Sequence, residues 1–177
     1  MIRAHALSWV QFCATMQEAG LDDTNIETKT PLSGVIEIMG EQDLPYMPFH
    51  FKEDHKNVLR LIFDDVDKDM EVVYLGEREP RNLYTMSEEQ GKKLFEFIKV
   101  NNNAINFVVH CAAGVSRSGA VAKFIMEYTG GEEDRDFYVL NPNTRPNGTV
   151  LRILRNLAQT KPDDNAANRG DKETSSD

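Results

Sequence analysis

One segment of this 177-residue chain gathers side chains able to do covalent chemistry: Phe107-Val-Val-His-Cys-Ala-Ala-Gly-Val-Ser-Arg-Ser-Gly119. A thiol, Cys111, opens a short loop, and a guanidinium, Arg117, closes it. The apolar, β-branched run before Cys111 predicts a buried strand over 106–110, and the residues from about Ser116 to Tyr128 predict a helix. In that setting each residue type has a reason. A loop wrapped between strand and helix turns successive backbone N–H groups inward and makes a concave site for an anion. The helix start adds unpaired donors and the positive end of its dipole. Gly114 lets the backbone come close where a side chain would intrude. Arg117 can grip two oxygens of one phosphate through its planar fork, which lysine cannot. The expected phosphate cradle is therefore the backbone of Ala112, Ala113, Gly114, Val115, Ser116 and Arg117, closed by the Arg117 side chain.

The same field acts on the thiol. A free cysteine titrates near about 8.5, and helix N-termini and neighbouring cations lower that to roughly 3.5–7.5. Cys111 is accordingly expected to be a thiolate at neutral pH, able to attack phosphorus and form a cysteinyl-phosphate. Ser118, just past the arginine, is placed to stabilise the departing thiolate in the second step. His110 is expected to orient the loop by hydrogen bonds rather than to act as a base, because an ionised nucleophile needs none.

The stretch His110-Cys111-Ala-Ala-Gly114-Val-Ser116-Arg117-Ser118-Gly119 resembles the signature of the protein tyrosine phosphatase superfamily, in the wording of its compact dual-specificity branch. The resemblance is strong over 106–128 and looser from 34 to 157. It implies a phosphatase-like α/β sandwich and hydrolysis of phosphotyrosine esters, with phosphoserine and phosphothreonine as further substrates. It also implies a general acid. That role suits a carboxyl group on a loop after a strand, and family members usually supply an aspartate from the strand upstream of the signature. Here the place is Phe63-Asp64-Asp65-Val66-Asp67; Asp65 matches best, with Asp64 and Asp67 as alternatives. The long stretch 68–86, which separates this loop from the next helix, departs from the family pattern and suits a flap facing the substrate.

The remaining elements are those that must hold this loop. Trp9, Phe12, Cys13 and Met16 recur at helical spacing, so the N-terminus reads as an amphipathic helix with a packing role for Cys13, and Gly20 is its stop. Residues 21–31 read as a polar loop. Residues 34–39 and 57–63 are expected strands, and 70–86 an irregular stretch. Ser87 to Gln90 has capping-box spacing, ahead of a helix with Leu94, Phe97 and Ile98 on its apolar face. Asn101 ends that helix, and Gly130-Gly131 ends the one after the signature. The 141–147 stretch reads as turn and cap chemistry, before a last helix over 147–157 with Val150, Leu151, Leu154 and Leu157 inward. Alternating strands and helices predict an α/β protein with a mostly parallel central sheet of about four to five strands flanked by helices. The expected organisation is one domain over 1–159 and a disordered polar tail over 160–177.

Composition limits the partners. The net charge is −9, with 29 acidic residues against 20 basic ones, so most of the surface repels nucleic acid and anionic membranes. No apolar run reaches the roughly 20 residues that cross a bilayer, and a cytoplasmic location is expected. The histidines at 5, 50, 55 and 110 and the cysteines at 13 and 111 show no zinc-ligand spacing, so no metal or cofactor is called for. The expected partner is a phosphorylated protein or peptide. Three other readings compete. A phosphoinositide phosphatase is expected to carry lysines in the loop, where this chain has Ala112, Ala113 and Val115. An RNA 5′-triphosphatase is disfavoured by the negative charge. A catalytically idle phosphoprotein-binding module is expected to have lost the thiol, the arginine or the acid.

Overall fold

The computed structural model describes residues 2–76, 78–130 and 134–159. In chain order the elements are β1 (Arg3–Ser8), α1 (Trp9–Glu18), α2 (Ile26–Lys29), β2 (Ser33–Met39), β3 (Val58–Ile62), β4 (Met70–Val72), β5 (Arg81–Leu83), α3 (Glu88–Val100), β6 (Asn106–Cys111), α4 (Arg117–Gly130), α5 (Asp134–Leu140) and α6 (Gly148–Gln159). A four-stranded sheet with the order β1-β6-β2-β3 is parallel throughout, and β4 and β5 form a separate antiparallel pair. This is the expected α/β sandwich. The expected tail over 160–177 lies outside the described residues.

Parallel strands are joined by crossovers that cover both faces, so inner strands are apolar throughout. β2 is buried along nearly its whole length, and so is the end of β6. The larger core lies on one face, where Ile36, Ile38, Phe107 and Val109 meet Leu94 and Ile98 of α3, Val121, Phe124 and Ile125 of α4, and Val150 and Leu154 of α6. A smaller core on the other face joins Phe12 and Met16 of α1 to Ile26, Val35 and Phe51. Because β2, β3 and β6 run the same way, their carboxyl ends open on one edge of the sheet, the edge where ligands bind in such folds. The loops after Met39, Ile62 and Cys111 therefore converge.

Several local readings need correction, among them the polar loop expected over 21–31, which contains α2 and buries Ile26 in the smaller core. The N-terminal residues expected to be helical from the start first form edge strand β1, register-paired from Arg3↔Asn106 to Ser8↔Cys111. Ser8 then caps α1 in a capping box with Gln11, the sequence signal that marks where the helix begins. Trp9 and Cys13 are only half-buried, and the Trp9 indole donates to the Pro48 carbonyl at 3.0 Å. On α3, Phe95 takes the buried position expected of Phe97, which packs at the core's edge. The stretch read as irregular contains the β4–β5 hairpin, fixed by Asp69, which accepts from the Thr85 N–H, and by Gln42, which accepts from Arg81 at 2.9 Å. Among the described residues, no helix is long and apolar enough to cross a membrane.

Candidate active site

The loop 112–116 is held open by its neighbours. Trp9 N–H donates to the Ala112 carbonyl, Arg145 N–H to that of Val115, and Asn147 and Ala120 N–H groups to that of Ser116. In a planar trans peptide the carbonyl and the following N–H point opposite ways. Carbonyls drawn outward at 112, 115 and 116 therefore turn the N–H groups of Ala113, Ser116 and Arg117 toward the loop's interior. Gly114 has φ +74°, and a Cβ there would lie 2.3 Å from the backbone nitrogen of Ser8. The expected glycine thus has a specific reason: the start of α1 presses against the loop from outside.

Cys111 ends β6, and its side chain is buried at the floor of the loop. Its Sγ lies 3.2 Å from the Ser118 Oγ, and Ser118 is fully buried in the first turn of α4. Arg117 opens that helix, and its buried guanidinium is fixed from two sides. Nη1 donates to the Phe63 carbonyl at 2.8 Å, and Nη2 pairs with Asp43 Oδ2 at 3.3 Å. Nε is buried and has no hydrogen-bond partner among the described residues. A buried unpaired donor is costly.

The three aspartates after β3 separate cleanly. Asp65 Oδ1 accepts from the Ser116 hydroxyl at 2.7 Å and from Asn147 Nδ2 at 2.9 Å, so this carboxylate reaches the rim of the loop. Asp64 is buried and turned toward the hairpin, with Oδ2 accepting from the Tyr84 N–H at 2.9 Å. Asp67 is exposed, and its backbone carbonyl accepts from the Thr149 hydroxyl. The geometry thus brings Asp65 to the loop that carries Cys111, Arg117 and Ser118, leaves Asp67 aside, and holds Asp64 near Gly40, behind the Asp43–Arg117 pair. Beside the rim lies an open cleft of about 650 Å³ lined by Asp65, Met70, Ser116, Arg145 and Asn147 among others.

His110 differs from expectation. It is fully buried and stacked on Phe12 with ring centroids 4.2 Å apart, and neither ring nitrogen has a hydrogen-bond partner among the described residues. It does not orient the loop by hydrogen bonds. β6 side chains alternate between faces, so His110 points to the small core while Cys111 points to the large one.

Sequence reasoning missed Asp43. Its only local mark is a turn in which Oδ2 accepts from the Gly40 N–H, a pattern shared by many surface loops. Asn147 was legible as a cap, and its Oδ1 does accept from the Thr149 and Val150 N–H groups at 3.0 Å. Its second function, tethering Asp65, depends on a contact between residues far apart in the chain.

No family model matches this chain, and no curated protein matches it. Similar solved structures include the human tyrosine phosphatase-like serine/threonine/tyrosine-interacting protein, 17% identical, covering 76% of this chain and 81% of that one with a TM-score of 0.46. PTPMT1 in complex with PI(5)P is 14% identical, covering 77% and 83% with a TM-score of 0.47. The Cydia Pomonella PTP-2 phosphatase is 14% identical, covering 88% and 83% with a TM-score of 0.47. At such values the likeness carries no chemistry. The site itself has to.

Proposed function

We propose that this chain is a cysteine-dependent phosphatase of the protein tyrosine phosphatase type, acting on a phosphorylated protein or peptide. The observation that carries the reading is the meeting of three groups at one loop. These are the Cys111 thiol beside the Ser118 hydroxyl, the unpartnered buried Nε of Arg117, and Asp65 on the rim.

The steps balance within these residues. The Cys111 thiolate attacks phosphorus while the ester P–O bond breaks, and protonated Asp65 gives its proton to the leaving oxygen. The inward N–H groups and Arg117 hold the equatorial oxygens as charge builds. A water then attacks the cysteinyl-phosphate, Asp65 takes the water's proton, and the S–P bond breaks to release inorganic phosphate. The thiolate re-forms beside Ser118, whose hydroxyl donates to it.

Phosphotyrosine is the favoured substrate, with phosphoserine and phosphothreonine as further ones. The loop side chains Ala112, Ala113 and Val115 carry no charge to meet additional phosphates, which supports an ester with a single phosphate. The neighbouring cleft offers room for residues flanking the phosphorylated one. Hydrolysis of a small aryl phosphate by the reduced protein tests the reading, with chelator present and absent. Turnover in both conditions is expected. No turnover, with phosphopeptide binding intact, would make the chain a binding module instead, and loss of activity to the chelator would contradict the metal-free mechanism.

A further inference from the structure

Glu37 stands in the middle of the apolar strand Gly34-Val-Ile-Glu-Ile-Met39 and is fully buried. A carboxylate so placed costs several kcal/mol unless it is hydrogen-bonded and paired. Two sets of contacts surround it. On one side both of its oxygens accept from the His50 N–H at 3.0 Å, and Oε1 also accepts from the Phe51 N–H at 3.3 Å. On the other, β2–β6 pairing sets Glu37 directly beside His110, with Oε1 3.8 Å from His110 Nε2. That separation exceeds a hydrogen bond, yet it sets the Glu37 carboxylate against an imidazole otherwise stacked on Phe12.

These contacts reach both halves of the phosphate site. His110 immediately precedes Cys111. The 40–51 loop, whose far end Glu37 fixes through the His50 and Phe51 N–H groups, carries Asp43, which holds Arg117. Trp9, at the start of the helix pressing on the loop, ties into the same segment at Pro48. A carboxylate with a purely packing role has no advantage here, because apolar replacements of buried charge pairs are often neutral or stabilising.

We propose that Glu37 is a positioning residue of the phosphate site, linking the backbone behind the Cys111 nucleophile to the loop that sets the Arg117 clamp. The proposal rests on the phosphatase reading. Glu37 touches neither substrate nor reacting atoms; it acts through His110 and through the 40–51 loop.

The test is Glu37→Gln, which keeps shape and one acceptor oxygen but sets an NH₂ group against donors that need an acceptor. Vanadate affinity, the rate of Cys111 alkylation by iodoacetate, and thermal unfolding are measured together. The expected result is vanadate affinity weakened by roughly tenfold and slower alkylation, in a protein that still unfolds cooperatively above the assay temperature. His110→Gln should weaken vanadate binding too, and the double variant should lose less than the product of the single losses, because contacting residues are coupled. A folded Glu37→Gln protein whose vanadate affinity and alkylation stay within about twofold of the parent would overturn the proposal, and so would losses that simply multiply. If Glu37→Gln does not fold, His110→Gln decides alone: a folded variant with parental vanadate affinity overturns the proposal, and a weakened one supports it. A parent protein with neither vanadate binding nor a reactive Cys111 would instead sink the phosphatase reading beneath it.

Discussion

Between Cys111 and Ser118 the proposed nucleophile, the guanidinium and the hydroxyl beside the sulfur all come from one unbroken segment. The wall facing them draws Asp43 from the loop after β2, Asp65 from the loop after β3 and Asn147 from the cap of α6. The contiguous segment places its groups through local geometry: a strand end, a glycine with positive φ and a helix start. The wall places its groups only after three parallel strands have brought their carboxyl ends to one edge. The loop should therefore lose function all at once when its chemistry is removed, while the wall should fail in proportion to each contact.

The largest effect expected is on the loop side. Cys111→Ser should abolish aryl phosphate turnover while leaving vanadate or phosphopeptide binding measurable by calorimetry, since the amide cradle and Arg117 remain. Residual turnover would mean the nucleophile lies elsewhere. On the wall, Asp65→Asn should slow hydrolysis of esters with poor leaving groups by about 10²–10⁴ and barely affect activated aryl esters. A series of leaving groups measures this, and an undamaged variant would move the acid to Asp64 or Asp67.

Asp43→Asn should have a smaller effect. It removes a charge but can keep a hydrogen bond to Arg117, so vanadate affinity should fall by about tenfold, in line with one charge-assisted contact of 1–2 kcal/mol. Unchanged affinity would show that the Phe63 carbonyl alone sets the guanidinium. The smallest effect compares the two thiols. Burial, with the nearby Glu37 carboxylate adding to it, pushes the Cys13 thiol above its ordinary range, so less of it is ionised at neutral pH. Alkylation near pH 7 should therefore label Cys111 first, as read by peptide mass mapping. Preferential labelling of Cys13 would show that the loop does not activate its cysteine.

The candidate site was legible wherever its logic is local. Gly114, Arg117 and Ser118 follow Cys111 at spacings that a strand–loop–helix turn demands, and the capping-box spacing of Ser87 and Gln90 located the start of α3. Reading failed where tertiary partners override local preference. The alanine-containing run Arg3–Ser8 becomes a strand because β6 offers it an unpaired edge, and β-structure follows such context more than intrinsic preference. The hairpin at 70–83 was missed because its short strands carry no alternation long enough to register, and contacts to Gln42 and Asp64 hold it.

The order of residues in the chain determined the α/β alternation, the strand–loop–helix setting of Cys111 and Arg117 and the small set of aspartates after β3, because each depends on neighbours within a turn or two. Only the tertiary structure decided that Asp65 rather than Asp64 meets the loop, that Asp43 fixes Arg117, and that Glu37 faces His110 across two strands. The physical reason is that hydrogen bonds and charge contacts act over a few ångströms of space, and the sheet alone brings residues dozens of positions apart within that reach.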